Sequence, residues 1–224
     1  MKKLRLGEFE RNSLVVFAIT MIANVLSYLY QIVMGNVLTP ADYGTVNTLL
    51  SLSVVVGVPS GIISALTATY TAKYHAHGET FAIAAFMHGM LRVAAVLAAI
   101  VFVAGALLSR PIAHVLQIDD PHYVTVVMVL VASNCLGPVF SSTLQGVKRF
   151  IPYSMNSVLS FAFRLLLGVI FVWLGWGIPG ALAALILAAC LTMLYCLFKS
   201  RDLFFAPVKE NLALDRTEIR RYFV

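Results

Sequence analysis

Arg164 is the residue whose type and surroundings point most directly to chemistry. It lies in an apolar stretch of about residues 155–176, which is predicted to cross a membrane with Arg164 near the bilayer midplane. A charged side chain there costs at least about 2.5–3.5 kcal/mol, so it usually faces a bundle interior or a wet cavity. Tyr153, Ser157 and Ser160 share its helix face, because the successive spacings are four, three and four residues. The pattern predicts a polar site, although an arginine that only holds a neighbouring helix would leave the same pattern.

The stretch around Arg164 belongs to a strongly apolar chain. Its 224 residues are 60% hydrophobic and 12% charged, with a mean hydropathy of +0.90. A typical soluble domain is about 45–50% apolar and about 25% charged. We therefore expect an all-α, polytopic membrane protein without a separate extramembrane domain. The three cysteines lie in apolar runs without a Cys-x-x-Cys spacing, so the sequence predicts no metal site and no cofactor.

Six stretches have about the 20 residues that are needed to cross a bilayer. They cover about residues 13–35, 45–72, 89–108, 123–146, 155–176 and 178–198. Residues 1–199 are thus predicted to form one six-span lobe. Residues 200–224 are predicted to be a basic cytoplasmic tail or a linker to a second lobe. Arg92 is expected in the first turn of the third span, with its charge reaching back to the cytoplasmic headgroups.

The basic residues predict the orientation of these spans. The sixteen Lys and Arg residues fall on one side of the predicted membrane, except Arg92, Arg110 and Arg164. The positive-inside rule then places both termini in the cytoplasm. This placement accounts for the net charge of +6 as membrane topology, and it predicts no nucleic-acid partner.

Polar side chains recur on one helix face in spans one, two, four and five. In span two the row is Ser60, Ser64, Thr67 and Thr71. We expect these four spans to surround a hydrophilic cavity, with the more uniformly apolar spans three and six outside. The alternative is that the rows only join helices, with each bond worth about 0.6 kcal/mol. The candidate substrate-binding residues are Asn24, Gln31, Asn134, Gln145, Ser160 and Arg164.

Two mid-span prolines, Pro59 and Pro138, predict helix bends beside the cavity, where a bend could act as a gate. No Asp or Glu lies within a predicted span. Cation-coupled transporters commonly use carboxylates inside the membrane, so their absence argues against a cationic substrate. An arginine instead suits an anion, because its guanidinium can donate two parallel hydrogen bonds to a phosphate.

Two segments resemble a known family. The first carries Leu38, Pro40, Asp42, Tyr43 and Gly44 between the first two spans. The second begins with Gln145, Gly146, Lys148 and Arg149, continues with Arg164 inside the fifth span, and ends in the turn with Gly175, Gly177 and Gly180. Both are similar to oligosaccharide flippases of the polysaccharide biosynthesis transporter family. That family belongs to the multidrug/oligosaccharidyl-lipid/polysaccharide exporter superfamily.

The resemblance implies twelve or fourteen spans in two lobes around a central cavity. It also implies movement of polyprenyl-pyrophosphate-linked sugars across the bacterial inner membrane, without ATP hydrolysis by the transporter. This chain would be the N-terminal lobe, in contact with membrane lipids. Its partner would be a second six-span lobe, either covalently linked or supplied by a second copy.

Three other functions are open at this point. A multidrug exporter of the same superfamily would usually need an acidic residue inside a lobe. An intramembrane protease would need Gly-x-Ser-Gly, whereas the chain has Gly-Val-Pro-Ser-Gly at residues 57–61, and no histidine lies well inside a span. A scaffold subunit, or an incomplete fragment that does not transport, would not need the polar rows. We therefore expect a transporter and not an enzyme.

Overall fold

The computed structural model describes residues 2–118 and 120–204, with side chains from Ser13 onward. Every regular element in these residues is an α helix. The helices are α1 (Lys2–Val37), α2 (Pro40–Val56), α3 (Val58–Ala76), α4 (Thr80–Leu107), α5 (Ser109–Val115), α6 (Pro121–Gly146), α7 (Phe150–Trp173) and α8 (Gly177–Phe204). The predicted tail begins inside α8, and its part from residue 205 onward lies outside the described residues.

Five of these helices are long and apolar enough to cross a membrane, and α2 with α3 adds a sixth span if the pair is counted as one bent span. The predicted all-α fold with six spans is therefore confirmed. The turn between α7 and α8 is also as short as predicted. Gly175 and Gly177 have φ angles of +84° and +51° there, which glycine adopts without a steric penalty.

The second span differs from its prediction in two ways. It was expected as one helix over 45–72 after an outer loop, but α2 already begins at Pro40. The Thr39 hydroxyl caps this end by accepting a hydrogen bond from the Asp42 amide at 3.2 Å, so the Asp-Tyr-Gly motif lies inside the helix. The span then bends by 49° at Gly57. Pro59 follows in the first turn of α3, where a missing N–H costs little.

Pro138 behaves differently from Pro59. It lies inside α6, which continues without a break to Gly146. Of the two predicted bends, the one near Pro59 is thus present as a helix break, and α6 keeps one continuous helix through Pro138.

The third span was predicted too short at its start. The helix α4 begins at Thr80 instead of about residue 89, because the earlier turns pack into the protein. Ile83 and Met87 are fully buried there, in a cluster with Phe140 and Leu144 of α6. Arg92 therefore lies beyond the first turn of α4. Its side chain is exposed about 18 Å along the helix.

The helix α6 is the centre of the packing, with α3, α4 and α8 against it. Its contact with α3 is especially close. The Ser64 and Ser142 hydroxyls form a hydrogen bond of 2.7 Å between the two helices. A Cβ atom added to Gly146 would lie 2.7 Å from Thr71 Cβ and 2.9 Å from the Ala68 carbonyl oxygen. This contact holds α3, the second half of the bent span, against α6.

Candidate functional site

A cavity of about 670 Å³ opens between α1, α2, α6, α7 and α8, with one contribution from the start of α3. It lies on the side of α6 that α3 and α4 leave free. About half of its wall surface is polar, and the polar residues are Gln31, Asn47, Ser51, Ser53, Ser60, Ser133, Asn134, Ser141, Asn156, Ser160, Arg164 and Thr192. A volume of this size accommodates a small molecule or the headgroup of a lipid.

Arg164 is the one charged residue among the described residues that line this cavity. The two ion pairs in the described part of the chain, which join Arg149 and Arg201 to Asp202, do not involve Arg164. Its Nε atom is buried and has no hydrogen-bond partner among the described residues. Its Cζ atom lies 5.5 Å from the centre of the Phe161 ring, one turn earlier on α7. The guanidinium therefore has no ion-pair partner among the described residues.

The helix α7 presents Arg164 as part of a row. Asn156, Ser160 and Arg164 are four residues apart and all three line the cavity. Glycine and proline are absent between Asn156 and Arg164, so the helix that positions them is uninterrupted. On the next turn, Gly168 allows α1 to approach closely. A Cβ atom at Gly168 would lie 2.7 Å from Met34 Cε.

The cavity brings together most of the residues that the sequence singled out. Gln31, Asn134, Ser160 and Arg164 line it, and so does Pro138. These side chains come from α1, α6 and α7, three helices that only the tertiary fold brings together.

Three of the predicted residues lie outside the cavity. Asn24 is exposed on α1, seven residues before Gln31, and Gln145 is half-buried near the end of α6. Pro59 is exposed on α3, although its neighbours Gly57 and Ser60 reach the wall. A helical spacing gives the direction of a side chain around its helix. It does not give the depth at which a cavity ends.

The placement of the sixth span is corrected by the structure. Span six was expected outside the cavity, yet α8 contributes Ala189, Thr192, Met193 and Cys196 to the wall. The Thr192 hydroxyl donates to the Ala188 carbonyl at 2.8 Å, so its polarity is satisfied within the helix. Because this face of α8 is mostly apolar, the sequence pattern predicts that it faces lipid. The helix α4 contributes none of the described lining residues, as predicted for span three.

Several lining residues were missed by the sequence reasoning, mainly on α2. Asn47 and Ser51 lie one turn apart on the same helix face, which is a signal that the sequence carries. The predicted polar row of span two begins at Ser60, after the Gly57 bend, and so omits these two residues. The predicted row on α7 passes through Ser157 and so omits Asn156.

The hydroxyl groups of the wall differ from its charged and amide groups. Ser53 donates to the Leu50 carbonyl at 2.6 Å, and Ser60 donates to the Gly57 carbonyl at 2.6 Å. These serines use their protons within their own helices. The Nε atom of Arg164 and the Oδ1 atom of Asn156 are buried and have no hydrogen-bond partner among the described residues, so the fold leaves these two atoms unsatisfied.

Among the described residues, five to six apolar helices around one cavity with a single lining arginine define a multi-pass membrane protein. The structure is similar to a MOP superfamily transporter from Pyrococcus furiosus, with a TM-score of 0.67 and 16% identity over 90% of this chain and 47% of that one. It is also similar to an outward-facing multidrug resistance MATE family transporter of the same superfamily, with a TM-score of 0.65 and 18% identity over 89% and 49% of the two chains. The chain thus spans about half the length of each, and these likenesses show a shared fold.

A family comparison takes the identification one step further. The model of the polysaccharide biosynthesis protein family matches residues 9–223, so the chain belongs to that family. A comparison with curated proteins gave no match. The resemblance noted in the sequence is therefore confirmed at the level of the polysaccharide biosynthesis family.

Proposed function

We propose that this chain is one lobe of a transporter that moves a polyprenyl-pyrophosphate-linked oligosaccharide across the bacterial inner membrane by alternating access. The observation that carries the proposal is the cavity itself, in which Arg164 is the one charged group among the described lining residues. The polysaccharide biosynthesis family supports a glycan as cargo.

Binding would divide the substrate into three parts. The pyrophosphate would accept hydrogen bonds from the Arg164 guanidinium, which can donate two in parallel. Sugar hydroxyls would meet Gln31, Asn134 and Ser160, which line the same cavity. The polyprenyl tail would stay in the bilayer, because its removal from hydrocarbon gains nothing.

Transport would need a second lobe, since this chain corresponds to about half of each similar structure. That lobe would be a further six-span segment or a second copy of this chain, rocking against the first with both termini of this lobe in the cytoplasm. The Gly57 bend would serve as the gate. The helix α2 lines the cavity on one side of the bend, whereas α3 is fixed to α6 on the other.

The second candidate is a multidrug exporter, which the fold of the MATE family transporter favours. The two candidates differ in the charge of the cargo. A cationic drug would need a carboxylate, and none stands among the described residues of the wall. The single arginine favours an anionic cargo.

The test is Arg164→Ala in the full-length protein, expressed in a strain that depends on it for surface glycan. Losing two charge-assisted hydrogen bonds of about 1.5–3 kcal/mol each lowers export by about 100-fold or more. The matched control is Arg92→Ala, which removes an arginine from an apolar helix outside the cavity and leaves export within about twofold. Both variants are first quantified in the membrane fraction. Normal glycan export by Arg164→Ala at a normal protein level would sink the proposal.

A further inference from the structure

Asn156 and Arg164 are set apart from the other polar residues of the cavity. Each has a side-chain atom that is buried from water and unpaired among the described residues: Oδ1 of Asn156 and Nε of Arg164. The other amides on the wall, those of Gln31, Asn47 and Asn134, have no such atom, so water can satisfy them. A buried polar group without a partner is uncommon and calls for an explanation.

The two unpaired atoms have complementary chemistry. The Nε–H group of Arg164 belongs to a positively charged donor, so its preferred partner is an anionic acceptor. The carboxamide oxygen of Asn156 is an acceptor, so it calls for a neutral donor such as a hydroxyl or an amide N–H. One ligand that satisfies both must carry an anion at one end and a hydrogen-bond donor at the other.

The spacing of the two residues sets the length of that ligand. They are eight residues apart on the continuous helix α7, which is about 12 Å along its axis. Ser160 lies halfway between them and also lines the cavity. A phosphate followed by one or two linked sugar rings covers such a distance. The terminal torsion of an asparagine is broad, so the amide can turn its oxygen toward the cavity as the sugar arrives.

We infer that Asn156 forms a sugar subsite. Its carboxamide oxygen accepts a hydrogen bond from the saccharide that is attached to the pyrophosphate at Arg164. This inference rests on the proposed function and makes it more specific. Arg164 supplies affinity for any polyprenyl pyrophosphate. Asn156 makes the site prefer the sugar-bearing lipid over the bare one, because a bare lipid leaves its carboxamide oxygen unpaired.

The experiment measures lipid binding to the purified full-length protein in nanodiscs. The two probes are undecaprenyl pyrophosphate and undecaprenyl-pyrophosphoryl-N-acetylglucosamine. The wild type is expected to bind the sugar-bearing probe about tenfold more tightly than the bare one. In Asn156→Leu, which has the same branching but a larger side chain without hydrogen-bonding groups, this ratio falls to about one while the affinity for the bare probe is kept. Ser157→Ala, at an exposed position on the adjacent residue, keeps the tenfold ratio.

Asn156→Ala is measured beside Asn156→Leu, so that a packing defect of the larger side chain does not decide the result. A tenfold preference that survives in either variant overturns the role of Asn156. Equal binding of the two probes by the wild type overturns it as well. If Arg164→Ala weakens both probes while the Asn156 variants keep the preference, the proposed function stands and only the subsite fails. If the wild type binds neither probe, both ideas fail together.

Discussion

The helices α3 and α7 both carry polar rows at helical spacing, but the two rows have different partners. On α3, Ser64 bonds to Ser142 across the contact with α6, and Thr67 donates to the Ile63 carbonyl at 2.7 Å. On α7, Ser160 and Arg164 line an open cavity. Both rows were predicted to face that cavity. The alternative, that polar rows only join helices, holds for α3, where Ser60 alone reaches the wall.

The difference between the rows lies in the residue types and not in their spacing. A Ser or Thr hydroxyl can donate to the carbonyl of the preceding turn, so it can be buried in any helix contact. An arginine has five donors, and its own helix cannot satisfy them. A charged group in a polar row therefore indicates a cavity more strongly than the row itself does.

The largest change in free energy is expected for the membrane insertion of α7 when the charge of its polar row is removed. Arg164 lies nine residues, or about 14 Å, from the end of α7 at Trp173, which is near the middle of a bilayer core of about 30 Å. Arg164→Leu should lower the insertion free energy of this span by about 3 kcal/mol or more. The measurement is a translocon insertion assay on residues 150–173.

Arg92→Leu is the matched comparison for that assay. Arg92 lies about 22 Å from the end of α4 at Leu107, so its charge can reach the opposite headgroups. The gain in insertion free energy should be smaller than for Arg164→Leu. Equal gains for the two substitutions would contradict the assigned depths and remove the distinction between the two arginines.

The next effect concerns the close packing of α3 on α6. Gly146→Ala places a methyl group against Thr71 and the Ala68 carbonyl oxygen, and it should lower the stability by about 1–3 kcal/mol. Gly137→Ala is the control on the same helix, since a Cβ atom there meets nothing within 4 Å. Thermal unfolding in detergent compares the two variants. If the Gly137 variant is as unstable as the Gly146 variant, an added methyl group anywhere on α6 lowers the stability, and the contact with α3 is not the cause.

The smallest effect is expected at the hydrogen bond between the α3 row and α6. A double-mutant cycle of Ser64→Ala and Ser142→Ala should give a coupling free energy of about 0.6 kcal/mol, the average for such bonds in membrane proteins. Glycan export by both single variants should stay near the wild-type level, because neither serine lines the cavity. If either variant loses export but keeps its stability, the α3 row does belong to the functional site.

The sequence determined the features that depend on local physics. Long apolar runs require helices, because backbone groups in hydrocarbon must be paired within the segment. That requirement gave the six spans, and helical spacing gave the direction of Arg164 and Ser160. The turn between α7 and α8 could also be predicted from its glycines, because the φ angles of single residues are a local property.

Only the tertiary structure decided which helix meets which. The bend at Gly57 places α2 on the cavity and α3 on α6, the buried start of α4 moves Arg92 away from a helix end, and α8 joins the wall with mostly apolar residues. These outcomes depend on contacts between segments that are far apart in the chain. Periodicity within one helix shows which face is polar, but it does not show what that face will meet.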